Sequence, residues 1–367
     1  NIMRKKLSVL LTAILAASML AACGGGSSAP ADTAAAGPES SGAEASGDAA
    51  GAAGESASSG ETVTLKYDLT VSLDHPWGLA ATEFKNRLEE KSGGRFQVEI
   101  YPSSTSGSEA DSLAGMLMGT TDMTMSGGSF NGYAPSATLL EAPWAYNSEE
   151  DVQKMLESDI GASIMQDFDD AGYHVLWYQL RGPRELTSNV PINSVADLQG
   201  KKMRMSGVAL HTNMWNSAGA VCSSIALGET FNALSQGVVE MQENPYDMIY
   251  DNSFYEVQEY VNQTDHVYSA ILNLIAADLY NDLDEEMKGW LDETSAEMQQ
   301  WVNDYYFEHR DEYLQKLIDA GMKVNSEVDR DSMKEAMMPV IQQYLEEQGG
   351  GLWEMYQEIC ALSEADS

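Results

Sequence analysis

From Thr62 onward the chain alternates between two hydrophobic periods, and that alternation restricts it to a layered α/β architecture. Residues 62–69 alternate apolar and polar side chains, as a half-buried strand requires. Residues 83–91 then set Phe84 and Leu88 four apart on one helical face, and Ser92-Gly93-Gly94 stops the helix. Residues 96–101, closed by Pro102, return to a period of two; 111–118 read as a helix and 122–125 as a short strand. A β-α-β-α-β order implies parallel strands with helices covering them. In such sheets ligands bind beyond the carboxyl ends of the strands.

The middle of the chain repeats the pattern. Residues 174–178, 202–205 and 238–242 read as strands; 210–218, ending before Gly219, and 229–235 read as helices. The last third is helical. Met287, Trp290, Leu291, Thr294, Met298, Trp301, Val302 and Tyr305 keep a three-four spacing. Continued to Leu317 and Ile318, this predicts one helix of roughly 50 Å at about 1.5 Å per residue, long enough to brace two lobes. The alternative is two helices with a break near Tyr305-Tyr306-Phe307. A final helix over 333–345 contains Pro339, which should kink or split it.

Ahead of the folded part stand two segments of another kind. Arg4, Lys5 and Lys6 precede an apolar stretch over 7–20, too short to span a bilayer but right for the core of a signal peptide. It ends in Leu20-Ala21-Ala22-Cys23-Gly24, which resembles the bacterial lipobox. That resemblance implies removal of residues 1–22 and lipidation of Cys23, and hence a lipid-anchored protein on the outer side of a membrane. Residues 24–60 are Gly, Ala and Ser with scattered acids, without aromatic or β-branched aliphatic residues, so 23–60 is expected to be the lipidated Cys and a flexible tether. Its coil reach is roughly 35 Å.

Composition excludes whole classes of partner. With 20 Lys and Arg against 57 Asp and Glu, the formal net charge is -37, and nucleic acid is not expected as a partner. At 43% apolar residues the chain is nonetheless far too hydrophobic to be an acidic disordered protein. Enzyme motifs are missing: no G-x-S-x-G elbow, no phosphate loop, no H-E-x-x-H. Neither a catalytic activity, a cofactor nor a metal is expected. Cys222 and Cys360 either form one disulfide or, as we favour, remain buried thiols.

The scarce residue type is arginine. Three of the eight arginines, Arg181, Arg184 and Arg204, fall within 24 positions. A guanidinium fork grips a carboxylate with two hydrogen bonds. Arg204, flanked by Met203 and Met205 in an apolar strand, must either be paired internally with an acid or aim into a cleft. Asn244, before Pro245, stands at a strand end, where it serves a turn or a ligand. His211 faces either a cleft or the core, and Phe130 and Tyr133 either line a cleft or pack inside.

Three segments carry a family resemblance: His75-Pro76-Trp77 with FKNRLEEKSGGRFQVEIYPSS (84–104), RELTSNVPINSVADLQGKKMR (184–204) and FNALSQGVVEMQENP (231–245). In order and spacing they resemble TRAP transporter solute-binding proteins of the DctP type, and the likeness runs through 62–363. It implies an α/β, two-lobed periplasmic-binding-protein-like fold with an interlobe cleft and a long lobe-spanning helix. Lobe I is expected from 61–181 plus 270–309, and lobe II from 182–269 plus 310–363. The resemblance implies an extracytoplasmic, monomeric receptor that closes on an organic acid and delivers it to TRAP membrane subunits. It makes Arg204 the main carboxylate clamp, Arg184 a second contact and Asn244 a hydrogen-bonding partner. It places Thr70 and His75 in a cleft loop and Glu109 against ligand hydroxyls or amines. Gly127 and Leu227 stand where other members carry Glu and Phe, which counts against a sialic-acid ligand. Thr105-Ser106-Gly107 departs from the family's Q-L-G at that loop. A sensory receptor of the same fold is the alternative reading, and an extracellular hydrolase a third.

Overall fold

The computed structural model describes residues 62–364. The signal peptide, Cys23 and tether all lie outside the described residues. Two sheets organise the rest. The first has the order β2-β1-β3-β10-β4, from β1 (Val63–Asp68), β2 (Phe96–Tyr101), β3 (Met123–Ser126), β4 (Tyr173–Arg181) and β10 (Ser269–Ala276). As the β-α-β-α-β rhythm requires, β1 runs parallel to β2 and β3, whereas β10 is antiparallel to β3 and β4. The second has the order β11-β9-β5-β8-β6-β7, from β5 (Glu185–Ser188), β6 (Lys202–Met205), β7 (Val221–Ser224), β8 (Met241–Asn244), β9 (Tyr260–Asn262) and β11 (Lys323–Asn325). The chain crosses from the first sheet to the second between β4 and β5 and returns between β9 and β10. The crossings lie side by side, with Arg184 N–H donating to Val267 O at 2.8 Å.

Each sheet buries its own apolar face. Leu65, Tyr67, Phe96 and Met123 pack under Phe84 and Leu88 of the Pro76–Lys91 helix and under Leu291 and Met298 of the Glu285–His309 helix. Met203 and Met205 are buried among Met214, Trp215, Met337 and Ile341 in a cluster that also contains Leu180 and Leu272 of the first sheet.

Four expectations need correction. The first helix begins at Pro76, not Glu83: the His75 imidazole caps it by accepting from Trp77 N–H, and its first turns are buried nearly all round, which erases the amphipathic signature. The strand expected over 238–242 is Met241–Asn244, because Val238 and Val239 both donate to Ala233 O and finish the preceding helix. The predicted 50 Å helix is two, Glu285–His309 and Glu312–Asp319. No Gly or Pro marks the bend at Arg310-Asp311; the second helix turns off to bury Leu317 among Ile249, Phe254 and Val261. The two together still run from the first sheet to the Tyr246–Asp251 helix beside the second. The Arg330–Gln348 helix passes through Pro339 unsplit; Pro339 and Glu335, whose carbonyl loses its helical partner, are both exposed, so the lost bond does not strand a buried group. Cys222 and Cys360 are free thiols.

Candidate functional site

A cavity of about 480 Å³ opens where strands from both sheets end, a size suited to a small organic ligand. Thr70 follows β1, Gly127 follows β3, Arg181 ends β4, Ser206 follows β6, Ser224 ends β7 and Asn244 ends β8; all line it. The carboxyl ends of strands thus converge on one space, as α/β topology dictates. Glu109, the first residue of the Glu109–Met118 helix, and Leu227, the first of Leu227–Ser235, complete the wall with Arg184 and Arg204. A space of about 40 Å³ behind Trp77, among Tyr246, Tyr305, Tyr306 and Tyr313, is too small for such a ligand.

The two arginines differ in kind. Arg184 makes the internal ion pair: Nε and Nη2 grip both carboxylate oxygens of Glu243, and Nη2 also donates to Glu243 O at 3.0 Å and Asn244 Oδ1 at 3.2 Å. His266 Nε2 meets the same carboxylate at 3.1 Å. Burial would push the Glu243 carboxyl up, but the Arg184 charge and the His266 and Arg184 hydrogen bonds outweigh it and hold it far below its ordinary value. Arg204, only 3% exposed, donates from Nε to Ile225 O at 2.8 Å and has no carboxylate within ion-pair distance among the described residues. Burial lowers its pKa to about 10, helped by the Arg184 charge and opposed by Glu243. Arg204 is a buried cation whose fork faces a cavity without a partner of its own, and such an arrangement attracts an anion.

The other wall is acidic. Glu109 Oε1 accepts from Ser126 Oγ, from Gly127 N–H at 2.9 Å and from Ser129 N–H at 3.2 Å, which pins the carboxylate at the end of β3. Asn244 is held at both ends, its Nδ2 donating to Gln242 Oε1 at 2.6 Å. A side chain at Gly127 would displace its neighbours: a Cβ there would stand 2.4 Å from Ile271 Cδ1 and 2.9 Å from Arg181 Nη1.

Of the ten expected ligand-contacting residues, Thr70, Glu109, Gly127, Arg184, Arg204, Leu227 and Asn244 are brought together in the cavity wall. His75, Phe130 and His211 are not. His75 caps its helix and faces Asp247 at 3.5 Å; Phe130 packs edge-on against Phe168; His211 Nε2 donates to Glu141 O at 2.8 Å. All three are buried and none lines the cavity, so each stands behind the wall. Burial lowers the His211 pKa to about 4, so its ring is neutral. Sequence reasoning missed Glu141, Trp77, Ser206 and Ser224, and counted Arg181 without assigning it. Arg181 lies over the Trp77 ring at 5.1 Å and 3.7 Å from Glu141 Oε1. Its membership of the arginine cluster was a usable signal; Glu141, one of 57 acids, had none.

Comparison with known proteins gives a consistent picture. Residues 69–348 match the family model described as bacterial extracellular solute-binding protein, family 7. A solute-binding protein of Roseobacter denitrificans is 38% identical over 247 residues, 67% of this chain and 76% of the relative. Its solved structure, a TRAP periplasmic solute-binding protein with bound L-galactonate, superposes with a TM-score of 0.78 at 34% identity, covering 82% of this chain and 99% of that one. The 2,3-diketo-L-gulonate-binding periplasmic protein of Escherichia coli is 27% identical, over 78% of this chain and 88% of the relative.

Proposed function

The chain belongs to the bacterial extracellular solute-binding proteins of family 7, and we propose that it is the extracytoplasmic receptor of a TRAP transporter, which captures an organic acid on Arg204 and Arg184 and closes its lobes around it. One observation carries the reading: Arg204 is a buried guanidinium on a ligand-sized cavity, with no carboxylate among the described residues in ion-pair distance to satisfy it. The ligand carboxylate takes the Arg204 fork in a desolvated site, where charge-assisted hydrogen bonds are strong. Arg184, already bound to Glu243, holds its guanidinium at a fixed place beside it and adds positive charge. Asn244, Thr70, Glu109, Leu227 and the backbone at Gly127 meet the rest of the molecule, while His75, Phe130 and His211 hold the wall in place.

Lobe I comprises 61–181 plus 270–309 and lobe II 182–269 plus 310–363, with the paired crossings and the bend at Arg310-Asp311 as hinge. Closure is a population shift driven by contacts that exist only in the closed form. The closed monomer then docks on the TRAP membrane subunits. Cleavage before Cys23 and lipidation of its thiol, with 24–60 as tether, keep the receptor at the outer face of the membrane. Support for this part comes from the lipobox resemblance and the tether composition.

A calorimetric titration of the protein with L-galactonate, D-galacturonate and succinate tests the receptor function. Binding of at least one organic acid, lost in Arg204→Ala with the fold retained, is the expected result. Unchanged affinity in Arg204→Ala overturns the clamp.

A further inference from the structure

The cavity holds one acidic group that the clamp does not use. Glu141 ends the short 3-10 helix Pro135–Glu141 and is 2% exposed, yet it lines the cavity. Its Oε1 has no hydrogen-bond partner. The wall in front of it is cut back to glycine: a Cβ at Gly128 would stand 2.6 Å from Glu141 Oε2 and 3.2 Å from Val208 Cγ2. A side chain at that position would cover the carboxyl; glycine leaves it open to the cavity.

The charges around Glu141 come from every neighbouring element. Arg181 on β4 and Arg184 before β5 are cationic; Glu109 on its helix and Glu243 on β8 are acidic; His211 bonds the Glu141 backbone carbonyl. In formal charge, three arginines (181, 184, 204) stand against three glutamates (109, 141, 243), and Asp247 acts on Arg181 and Arg184 from behind the wall, so the empty site has no positive charge to spare. Adding one ligand carboxylate leaves one negative charge too many in a desolvated space, and protonation of one glutamate restores the balance. Glu243 cannot take that proton, because Arg184 and His266 occupy its carboxylate. Glu109 Oε1 already accepts from three donors. Glu141 has no hydrogen bond at Oε1 and sets Oε2 behind the gap at Gly128, and burial has already raised its pKa to about 7, with Arg184 and Arg181 restraining the rise.

Resting on the organic-acid reading, we propose that Glu141 takes up a proton as the ligand carboxylate docks on Arg204 and then hydrogen-bonds a ligand hydroxyl, so that the cavity selects a hydroxylated monocarboxylate over the dicarboxylate of equal length. A second carboxylate would restore the negative excess that the proton had relieved, beside Glu141 and Glu109. The proton comes from solvent, and no covalent bond to the ligand forms or breaks.

Titration calorimetry on the full chain tests this with L-galactonate and its matching aldarate, galactarate, which differ only in one terminal CH₂OH against carboxylate. At pH 8, in buffers of different ionisation enthalpy, galactonate binding is expected to take up close to one proton. Its Kd is expected to rise about tenfold from pH 6 to pH 8, the linkage of a group titrating near 7 in the free protein. Galactarate is expected to bind at least tenfold more weakly. Glu141→Gln, which cannot titrate, is expected to bind galactonate with no proton uptake and with the same Kd at both pH values. Absence of proton uptake in the unmutated protein, uptake persisting in Glu141→Gln, or equal affinity for the two acids overturns the inference. The same holds if another organic acid binds and galactonate does not, an outcome that leaves the Arg204 clamp standing. If no organic acid binds at all, the receptor reading itself fails.

Discussion

Arg204→Met separates the binding role of this arginine from any structural one, because the two make opposite predictions for the empty protein. Burial lowers the Arg204 pKa from an ordinary 12.5 to about 10. At pH 7 the group is cationic both folded and unfolded, so the lowered pKa measures a destabilisation of the folded state at every pH below 10. At about 1.4 kcal/mol per pH unit, holding this cation in the cavity wall costs about 3 kcal/mol. Methionine removes the charge and keeps most of the volume. It also forfeits the bond from Nε to Ile225 O, worth about 1 kcal/mol. The empty variant should therefore be more stable than the parent by about 1–2 kcal/mol, and its Tm higher by a few degrees. Ligand affinity should move the other way. Two charge-assisted hydrogen bonds in a desolvated site are worth about 3–4 kcal/mol, a loss of roughly two to three orders of magnitude in Kd. Thermal unfolding with and without a bound organic acid reads both effects. The parent gains about 2.7 kcal/mol at a ligand concentration of 100 Kd, and the variant gains at most about 0.4 kcal/mol at the same concentration. An empty Arg204→Met protein less stable than its parent, or one whose Kd stays within threefold, would refute the assignment of Arg204 as an unpaired clamp.

Three further outcomes follow from the same geometry. Arg184→Ala should cost about 3–5 kcal/mol of stability by stranding the buried Glu243 carboxylate, and Glu243→Gln in the same chain should recover part of it; denaturant titrations of both variants check this. His211, held neutral with a pKa of about 4 against an ordinary 6.5, supplies stability that is full above 6.5 and lost as pH falls toward 4, whereas Glu141, raised from 4.5 to about 7, costs stability that is relieved over nearly the same window. The two offset each other, so Glu141→Gln should expose a steeper loss of stability between pH 6.5 and 4.5, and a slope unchanged from the parent would contradict the burial of both groups. Gly78→Ala should destabilise by about 3 kcal/mol, since its Cβ would meet Ser72 O at 2.2 Å and Leu73 Cα at 2.5 Å, both backbone atoms; a Tm equal to that of the parent would mean the loop yields.

Strands in both sheets are legible where their signals are local. Residues 96–101 and 202–205 were placed to the residue by period and by the turns that close them. Legibility failed where burial is uniform or a break has no chemical mark. The opening turns of the Pro76–Lys91 helix are buried all round and show no amphipathic face, and the bend at Arg310-Asp311 contains neither Gly nor Pro.

The candidate site divides along the same line. Sequence by itself determined that the chain is a layered α/β protein with too much negative charge for a nucleic-acid partner. It also concentrated three of its few arginines in one stretch, because composition, period and rarity need no partner to be read. Only the tertiary structure decided which arginine is free. Arg184 and Arg204 are equivalent as letters, but the register of β5 against β8 pairs Glu185 with Asn244 and Leu186 with Glu243, and so brings the Glu243 carboxylate to Arg184, while no acid among the described residues reaches ion-pair distance of Arg204. The same is true of Glu141, one acid among 57, which becomes distinctive only when the fold buries it beside Arg181 and leaves its oxygen unbonded. The physical reason is that the chemistry of a buried charge is set by what else is buried within a few ångströms of it, and that list is written by packing between segments far apart in the chain.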